Sequence, residues 1–256
     1  MNEQPFNHPS TTEAIEPAIR ERLMRLNTSA IANALLSRGF KNAYLVGLAP
    51  LSSGQAPLVG PAYTLRFIPA REDLDTFANY RRDDNPHRLA IETCPEGAVL
   101  VIDSGDSITV STMGDMMALR LKVRGAAGVV TDGGYRDSPA IIKIGLPCYQ
   151  RQNAPPATSI GLHPVALNEP IGCAGVAIYP GDIIVGDAEG VIAIPRHLVD
   201  EVSKEAEATM AYEEFAEQWI EQGRAIFGLF PACDESRAEY EQWVEQGRPK
   251  LGELFS

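Results

Sequence analysis

Apolar residues recur at mostly three- and four-residue steps through Ile15, Ile19, Leu23, Leu26, Ile31, Leu35 and Leu36. That period predicts helix over residues 13 to 39, interrupted near "NTSA". Asn27, Thr28 and Ser29 stand where a second helix would start, and Gly39 where it would stop. From Leu45 to Pro195 the pattern changes to short β-rich runs between glycine turns: "YTLRFI", "AVLVID", "GVVTD", "PCYQR" and "GVAIYPGDIIVGDAEGVIAIP". Between two of them "TMGDMMALRLKVRGAAG" carries apolar residues at helical spacing and ends in Gly125 and Gly128. The run from "AVLVID" to "GVVTD" therefore predicts a parallel strand pair joined by a helix in a right-handed crossover.

After Pro195 helix-forming Glu, Ala, Gln and Lys take over, and "QWIEQGRAIFGLF" from Gln218 recurs as "QWVEQGRPKLGELF" from Gln242. Two copies are too few for a solenoid. Arg224 and Arg248 could bind carboxylates, but the repeat reads better as two amphipathic helices packing Trp219 and Trp243 against the body or a neighbouring subunit.

Composition narrows the function classes. A chain of 256 residues with 45% hydrophobic and 22% charged positions is expected to fold as one large or two small globular domains. Its net charge of −12 repels phosphate and argues against nucleic-acid or anionic-membrane partners. A small anionic substrate would need a local cluster of positive groups. With neither a leader pattern nor a membrane-length apolar run, a cytoplasmic location is expected. Cys94, Cys148, Cys173 and Cys233 lack metal-ligand spacing and read as small buried apolar residues. His8, His87, His163 and His197 are equally dispersed and read as loop or surface residues, with His87 in "RRDDNPHR" the one that could help at a loop.

Candidate chemistry gathers at strand ends, where open α/β sheets bind ligands. "VLVIDSGDS" and "VVTDGGYRD" are two such ends. Between them the helix beginning at Gly114 to Met117 can aim backbone N–H groups and its positive dipole end at an anion. Arg136 adds a planar fork suited to a carboxylate, and Asp137 a hard oxygen suited to a divalent cation. Gly133 and Gly134 would free the turn so that both side chains converge. Duller readings stand beside these: Arg136 and Asp137 as a surface ion pair, Asp115 as a helix-start carboxylate, the glycines as a plain turn. Asp182 and Asp187 of "YPGDIIVGDAEG" read as turn residues. Arg66 and Asp103 are second-tier candidates at strand ends.

"TMGDMMALRLKVRGAAGVVTDGGYRDSPAIIKIGLPCYQR", followed by "GVAIYPGDIIVGDAEGVIAIP", resembles the 4-hydroxy-4-methyl-2-oxoglutarate / 4-carboxy-4-hydroxy-2-oxoadipate aldolases and the related regulators of ribonuclease E activity, the RraA-like family. The resemblance covers about residues 25 to 205. It implies an α/β fold, a three-layer swivelling β/β/α-type domain over residues 1–205, leaving 206–256 as a C-terminal helical extension. It also implies trimers or hexamers with active sites near subunit interfaces.

Carried over by position, the amides of Gly114, Asp115, Met116 and Met117 would hold a pyruvyl carboxylate with Arg136. Asp137 would anchor Mg²⁺ or Mn²⁺, and Asp115 would order or deprotonate metal-bound water. The activity implied is cleavage of a 4-hydroxy-2-oxo acid to pyruvate and a second oxo compound, with oxaloacetate decarboxylation at the same site. Lys41, Lys122, Lys143, Lys204 and Lys250 all lie outside the candidate loops, so a Schiff-base mechanism is the weaker one. The alternatives are a protein-binding regulator of the ribonuclease-inhibiting type and a sugar-acid aldolase on the same site. A carboxylate lent by a neighbouring subunit has no local mark in the sequence.

Overall fold

A computed structural model of the protein describes residues 12–250. His8 and the end of the second repeat copy lie outside them. The first apolar run forms two helices, α1 (Pro17–Leu23) and α2 (Thr28–Leu36). Helix α1 begins only at Pro17, whose fixed φ suits a first helical turn. Asn27 caps α2 by accepting the Ala30 amide at 2.7 Å. Asp187 also serves this helix, accepting the Thr28 amide at 2.7 Å and hydroxyl at 3.0 Å. Its Oδ1 takes the Glu189 amide as well, so Asp187 acts as a turn and cap residue. Asp182 likewise accepts the Tyr179 amide within its turn.

The middle of the chain builds the sheets. Strands β1 (Ala49–Pro50) and β2 (Leu58–Pro69) precede the short helices α3 (Phe77–Tyr80) and α4 (Pro86–Thr93). Then come β3 (Val99–Asp103), β4 (Ser111–Met113), α5 (Asp115–Val123), β5 (Gly128–Thr131) and β6 (Gly134–Tyr135). Helix α6 (Ser138–Ile144) leads to β7 (Cys148–Gln150), β8 (Gln152–Asn153) and β9 (Leu162–Leu167). Two hairpins follow, β10 (Ile171–Cys173) with β11 (Val176–Ile178), and β12 (Ile183–Gly186) with β13 (Val191–Ile194).

The main sheet runs β1-β7-β5-β3-β2-β12-β13, with β9 added to β2, and is nearly closed. Its centre, β2-β3-β5-β7, is parallel, and the β3-α5-β5 crossover is the unit the hydrophobic pattern predicts. All five residues of β3 are buried because both of its faces are covered. Leu100 and Ile102 pack with Ala90, Ala118, Leu121 and Ile141 of the helices. Val99 and Val101 pack with Ile171, Cys173, Val176 and Ile178 of the small hairpin. The result is three layers, helices on the main sheet on a second small sheet. Cys94, Cys148 and Cys173 are buried free thiols in these cores, and burial pushes the Cys94 and Cys148 thiols up to about 12.

The chain divides into two compact units, Met1–Ser203 and Lys204–Ser256, the division falling within α7 (Val199–Glu221). In the second, Phe215, Ala216 and Leu229 pack with Trp243 of α8 (Asp234–Glu245). The sequence repeat is a repeated helix stop. Gly223 and Gly247 take left-handed φ, and the next amide, of Arg224 or Arg248, donates back to the Trp219 or Trp243 carbonyl. Each guanidinium then lies over the tryptophan of its own copy, at 5.1 and 5.9 Å. Among the described residues no helix is long and apolar enough to cross a membrane.

Candidate active site

The candidate residues meet on a small sheet of their own. Strands β4, β6 and β8 pair in parallel, so the residues that follow β4 and β6 emerge side by side at one edge. The Arg136 amide donates to the Met113 carbonyl at 3.1 Å and locks the two exits together. Gly114 is consequently in contact with the pair that follows β6. A Cβ on Gly114 would stand 3.1 Å from Asp137 Oδ2 and 3.2 Å from Arg136 Nε. Arg136 Nε in turn donates to Asp137 Oδ2 at 3.0 Å.

Two expectations about this loop change. The turn is not released by Gly133 and Gly134: neither has positive φ, and both are glycine because neighbouring atoms leave no room. A Cβ on Gly134 would lie 2.3 Å from the Gln152 carbonyl oxygen, across the β6–β8 pair. The residue that turns the chain is Asp137 itself, at φ 58° and ψ 29°, immediately before α6. A non-glycine residue in that region carries strain and is held by its surroundings. Ser138 supplies part of that hold, its hydroxyl donating to Asn153 Oδ1 at 2.7 Å.

The second change concerns the helix start. Helix α5 begins at Asp115 with Gly114 as its cap, and the Ala118 amide is bonded to the Gly114 carbonyl. The Met116 amide, expected to face an anion, instead donates to Asp115 Oδ1 at 2.8 Å. A carboxylate at the first helical position finds the nearest unpaired amide, which satisfies both. Of the four expected amides, those of Gly114, Asp115 and Met117 stay candidates for an anion.

Gly114, Asp115, Met116, Met117 and Arg136 line one cleft of about 370 Å³. Phe77, Tyr80, Ser111, Ala157, Thr158 and Ser159 complete its wall. None of these six carried a sequence signal, because they come from a four-residue helix, the three-residue β4, a single helical turn at Thr158–Ile160 and the residue before it, all too short to show a period. Tyr80 is half-buried, and burial raises its phenol while the nearby Arg88 and Arg136 charges oppose the rise. Asp137 and Arg136 are both partly exposed, at 41% and 46% of their side chains. The ion pair alone therefore contributes little to stability.

Asp132, the first aspartate of "DGGYRD", does something different. It is buried and accepts the Ser104 amide and hydroxyl, both at 2.7 Å, and the Asp106 amide at 3.1 Å. It thereby ties the loop after β3 to the end of β5. Asp103 accepts the Gly105 amide at 2.9 Å, and burial raises its carboxyl. Neither Asp103 nor Arg66, its partner across the β2–β3 pair, lines the cleft.

His87, expected in a loop, is buried in the first turn of α4, edge-on to Phe67 at 5.2 Å. Burial holds its pKa down to about 4 from 6.5, against a main-chain hydrogen bond with Thr112 that favours the charged ring. Unfolding exposes a ring that protonates near pH 6.5, whereas the folded ring resists until about pH 4. His87 should therefore cost stability progressively as pH falls from about 6.5 to about 4, up to about 3 kcal/mol. Urea unfolding across that window should show the decline, and His87→Leu should flatten it.

Metal fit rests on the donors present. Among the described residues no three His, Cys, Asp or Glu side chains converge on one point. A magnesium-type ion does not require that, since it keeps several waters and takes one or two carboxylates plus substrate oxygens. Asp137 offers a hard oxygen, and only a glycine at 114 fits this close to it, since a Cβ there would stand 3.1 Å from its Oδ2. The residues fit such an ion.

The sequence profile of the RraA-like family, described as Aldolase/RraA, matches residues 28–193, more than half of the chain. The chain belongs to the RraA-like family. A Halalkalibacterium halodurans relative named "Putative 4-hydroxy-4-methyl-2-oxoglutarate aldolase" is 35% identical over 185 residues, covering 69% of this chain and 80% of that protein. Protein DlpA of Legionella pneumophila is 28% identical over 213 residues, covering 82% of this chain but 33% of that much longer protein. Among solved structures, Streptomyces coelicolor RraAS2, described as an unusual member of the RNase ES inhibitor RraA protein family, superposes with TM-score 0.70 at 30% identity. That match spans 80% of this chain and 98% of that one. The swivelling α/β architecture of this RraA-like chain is that of its family.

Proposed function

We propose that this RraA-like chain is a divalent-metal-dependent lyase that releases pyruvate from a 4-hydroxy-2-oxo acid. The observation that carries the reading is the meeting of an anion-facing helix start, Arg136, Asp115 and Asp137 around Gly114. The aldolase names of relatives such as the Halalkalibacterium protein support it.

In this reading the substrate carboxylate lies against the Gly114, Asp115 and Met117 amides, and Arg136 fixes its plane. Asp137 would hold Mg²⁺ or Mn²⁺, which when bound supplies positive charge to the 2-oxo end. Asp115 accepts the 4-hydroxyl proton through a water. The C3–C4 bond breaks as that oxygen becomes a carbonyl, and C3 keeps the electron pair until it is protonated to give pyruvate. Loss of carbon dioxide from oxaloacetate would leave the same three-carbon fragment, so both reactions belong to one site. No lysine is needed: Lys122, the one on α5, donates to the Ile144 carbonyl instead.

The likeness to RraAS2 favours a second reading, a regulator that binds a protein partner through its acidic surface. Purified protein assayed with oxaloacetate and 4-hydroxy-4-methyl-2-oxoglutarate separates the two. Pyruvate release with Mg²⁺ or Mn²⁺ that EDTA abolishes is expected of the lyase. No release under either metal would move the reading to the regulator.

A further inference from the structure

A second cavity, of about 330 Å³, adjoins the cleft and shares Tyr80, Thr158 and Ser159 with it. Its other polar lining includes Asp75, Asn79, Arg82, Asp84, His87 and His163. We infer that this cavity receives the distal half of the substrate and selects one that is hydroxylated and uncharged over one that carries a carboxylate. The inference rests on the lyase reading of the cleft and adds to it the chemical class of the substrate.

Position comes first. A 2-oxo acid held by its carboxylate at α5 and Arg136 extends its atoms from C4 onward away from those groups. Two spaces of sufficient size adjoin the cleft, and the one across Tyr80, Thr158 and Ser159 carries hydroxyl and amide groups that the one past Met116 and Met117 lacks.

Charge then decides the class. Arg82 and His163 in the wall each already face a carboxylate. Arg82 grips Asp84 with two hydrogen bonds of 2.8 and 2.6 Å. His163 Nδ1 lies 2.7 Å from Asp75 Oδ1, while Asp75 Oδ2 accepts the Arg71 amide at 2.8 Å. The Arg82–Asp84 pair is exposed and weak, but the Asp75 side chain is only 9% exposed, so water screens it poorly. An incoming carboxylate would meet Asp75 and Asp84 with no uncommitted cation to offset them.

Hydroxyl groups face no such penalty. Thr158 and Ser159 each donate and accept, Asn79 offers an amide, and the Asp75 carboxylate accepts. His87 reinforces the choice. Its Nε2 is buried without a partner among the described residues, and its ring is kept neutral by burial. A neutral ring lined up on one side by the Thr112 main chain has no charge to give an anion.

The test compares kcat/KM for pyruvate release from 2-oxo-3-deoxygluconate, whose distal half is hydroxylated and uncharged, and from 4-hydroxy-4-methyl-2-oxoglutarate. Both are run with Mg²⁺ on the full chain, with oxaloacetate as a third arm. The sugar acid should be favoured by at least about tenfold, the size of one misplaced charge-bearing group in a poorly screened pocket. Asp75→Asn should narrow that ratio by about tenfold, mainly by improving the glutarate. Should Asp75→Asn not fold, Thr158→Val takes its place and should lower the sugar-acid value relative to the glutarate. A wild-type preference for the glutarate, or none, with oxaloacetate still decarboxylated, overturns the inference and leaves the lyase reading standing. A ratio that neither variant moves overturns the assignment of this cavity. No pyruvate from any of the three substrates overturns the lyase reading and this inference with it.

Discussion

Asp137→Ala is expected to abolish metal-dependent pyruvate release, by a factor on the order of 10³ or more, while leaving the fold intact. In the proposed reaction the three-carbon fragment carries negative charge that builds up only as the bond breaks. A cation placed there stabilises that charge by several kcal/mol, and each 1.36 kcal/mol is tenfold in rate. Asp137 is the hard oxygen beside Gly114, so its removal takes away the anchor for that cation. Asp137→Asn is the sharper control. Asparagine tolerates the left-handed backbone at this position and keeps the shape, but loses the charge. Metal titration followed by pyruvate assay of both variants, with thermal unfolding alongside, checks the prediction. Activity retained by Asp137→Asn at saturating Mg²⁺ would show that the carboxylate does not anchor the ion.

The second large effect falls on stability. Asp132→Ala should destabilise the protein by about 4 kcal/mol, because the buried Ser104 amide and hydroxyl and the part-buried Asp106 amide lose a charged acceptor at once. The loop after β3 would come loose from the end of β5. Chemical denaturation of wild type and variant measures this directly. Asp132 and Asp137 stand in the same hexapeptide, "DGGYRD", yet one should report in unfolding and the other in turnover. A variant of Asp132 as stable as wild type would mean that the Ser104 and Asp106 donors find other partners.

Metal removal, the pH dependence from His87 and the substrate comparison at the second cavity complete the set. They probe different atoms, so their results are separable. His87 reads out burial, EDTA the ion, and Asp75 the charge of the distal pocket.

Much of this architecture is written in period and in local chemistry. The unbroken apolar run "AVLVID" marks a strand covered on both faces, and β3 is one. The Asn27 cap and the helix that begins after Gly114 are both signalled by residue type, since caps and helix starts depend on neighbours a few positions away. Arg136 and Asp137 declare themselves as a planar cation beside a hard carboxylate, and their adjacency needs no fold. The tryptophan–arginine repeat forms within single helix ends, but the packing of Trp243 against Phe215, Ala216 and Leu229 of its own unit is not readable from the repeat.

What the chain alone does not disclose depends on strands too short to carry a period. β4, β6 and β8 have two or three residues each, yet their parallel pairing is what brings Gly114 against Arg136 and Asp137. The same pairing explains Gly134, which is glycine for want of space rather than for freedom of φ. Tyr80, Thr158 and Ser159 come from segments far apart in sequence and become neighbours only when β2 and β9 close together. Sequence thus determined the β3-α5-β5 crossover, the caps and the charged pair, because each follows from local periodicity and side-chain chemistry. Tertiary structure alone decided which aspartate is buried as a tie and which stays partly exposed beside Gly114 and Arg136, because burial depends on contacts between distant segments.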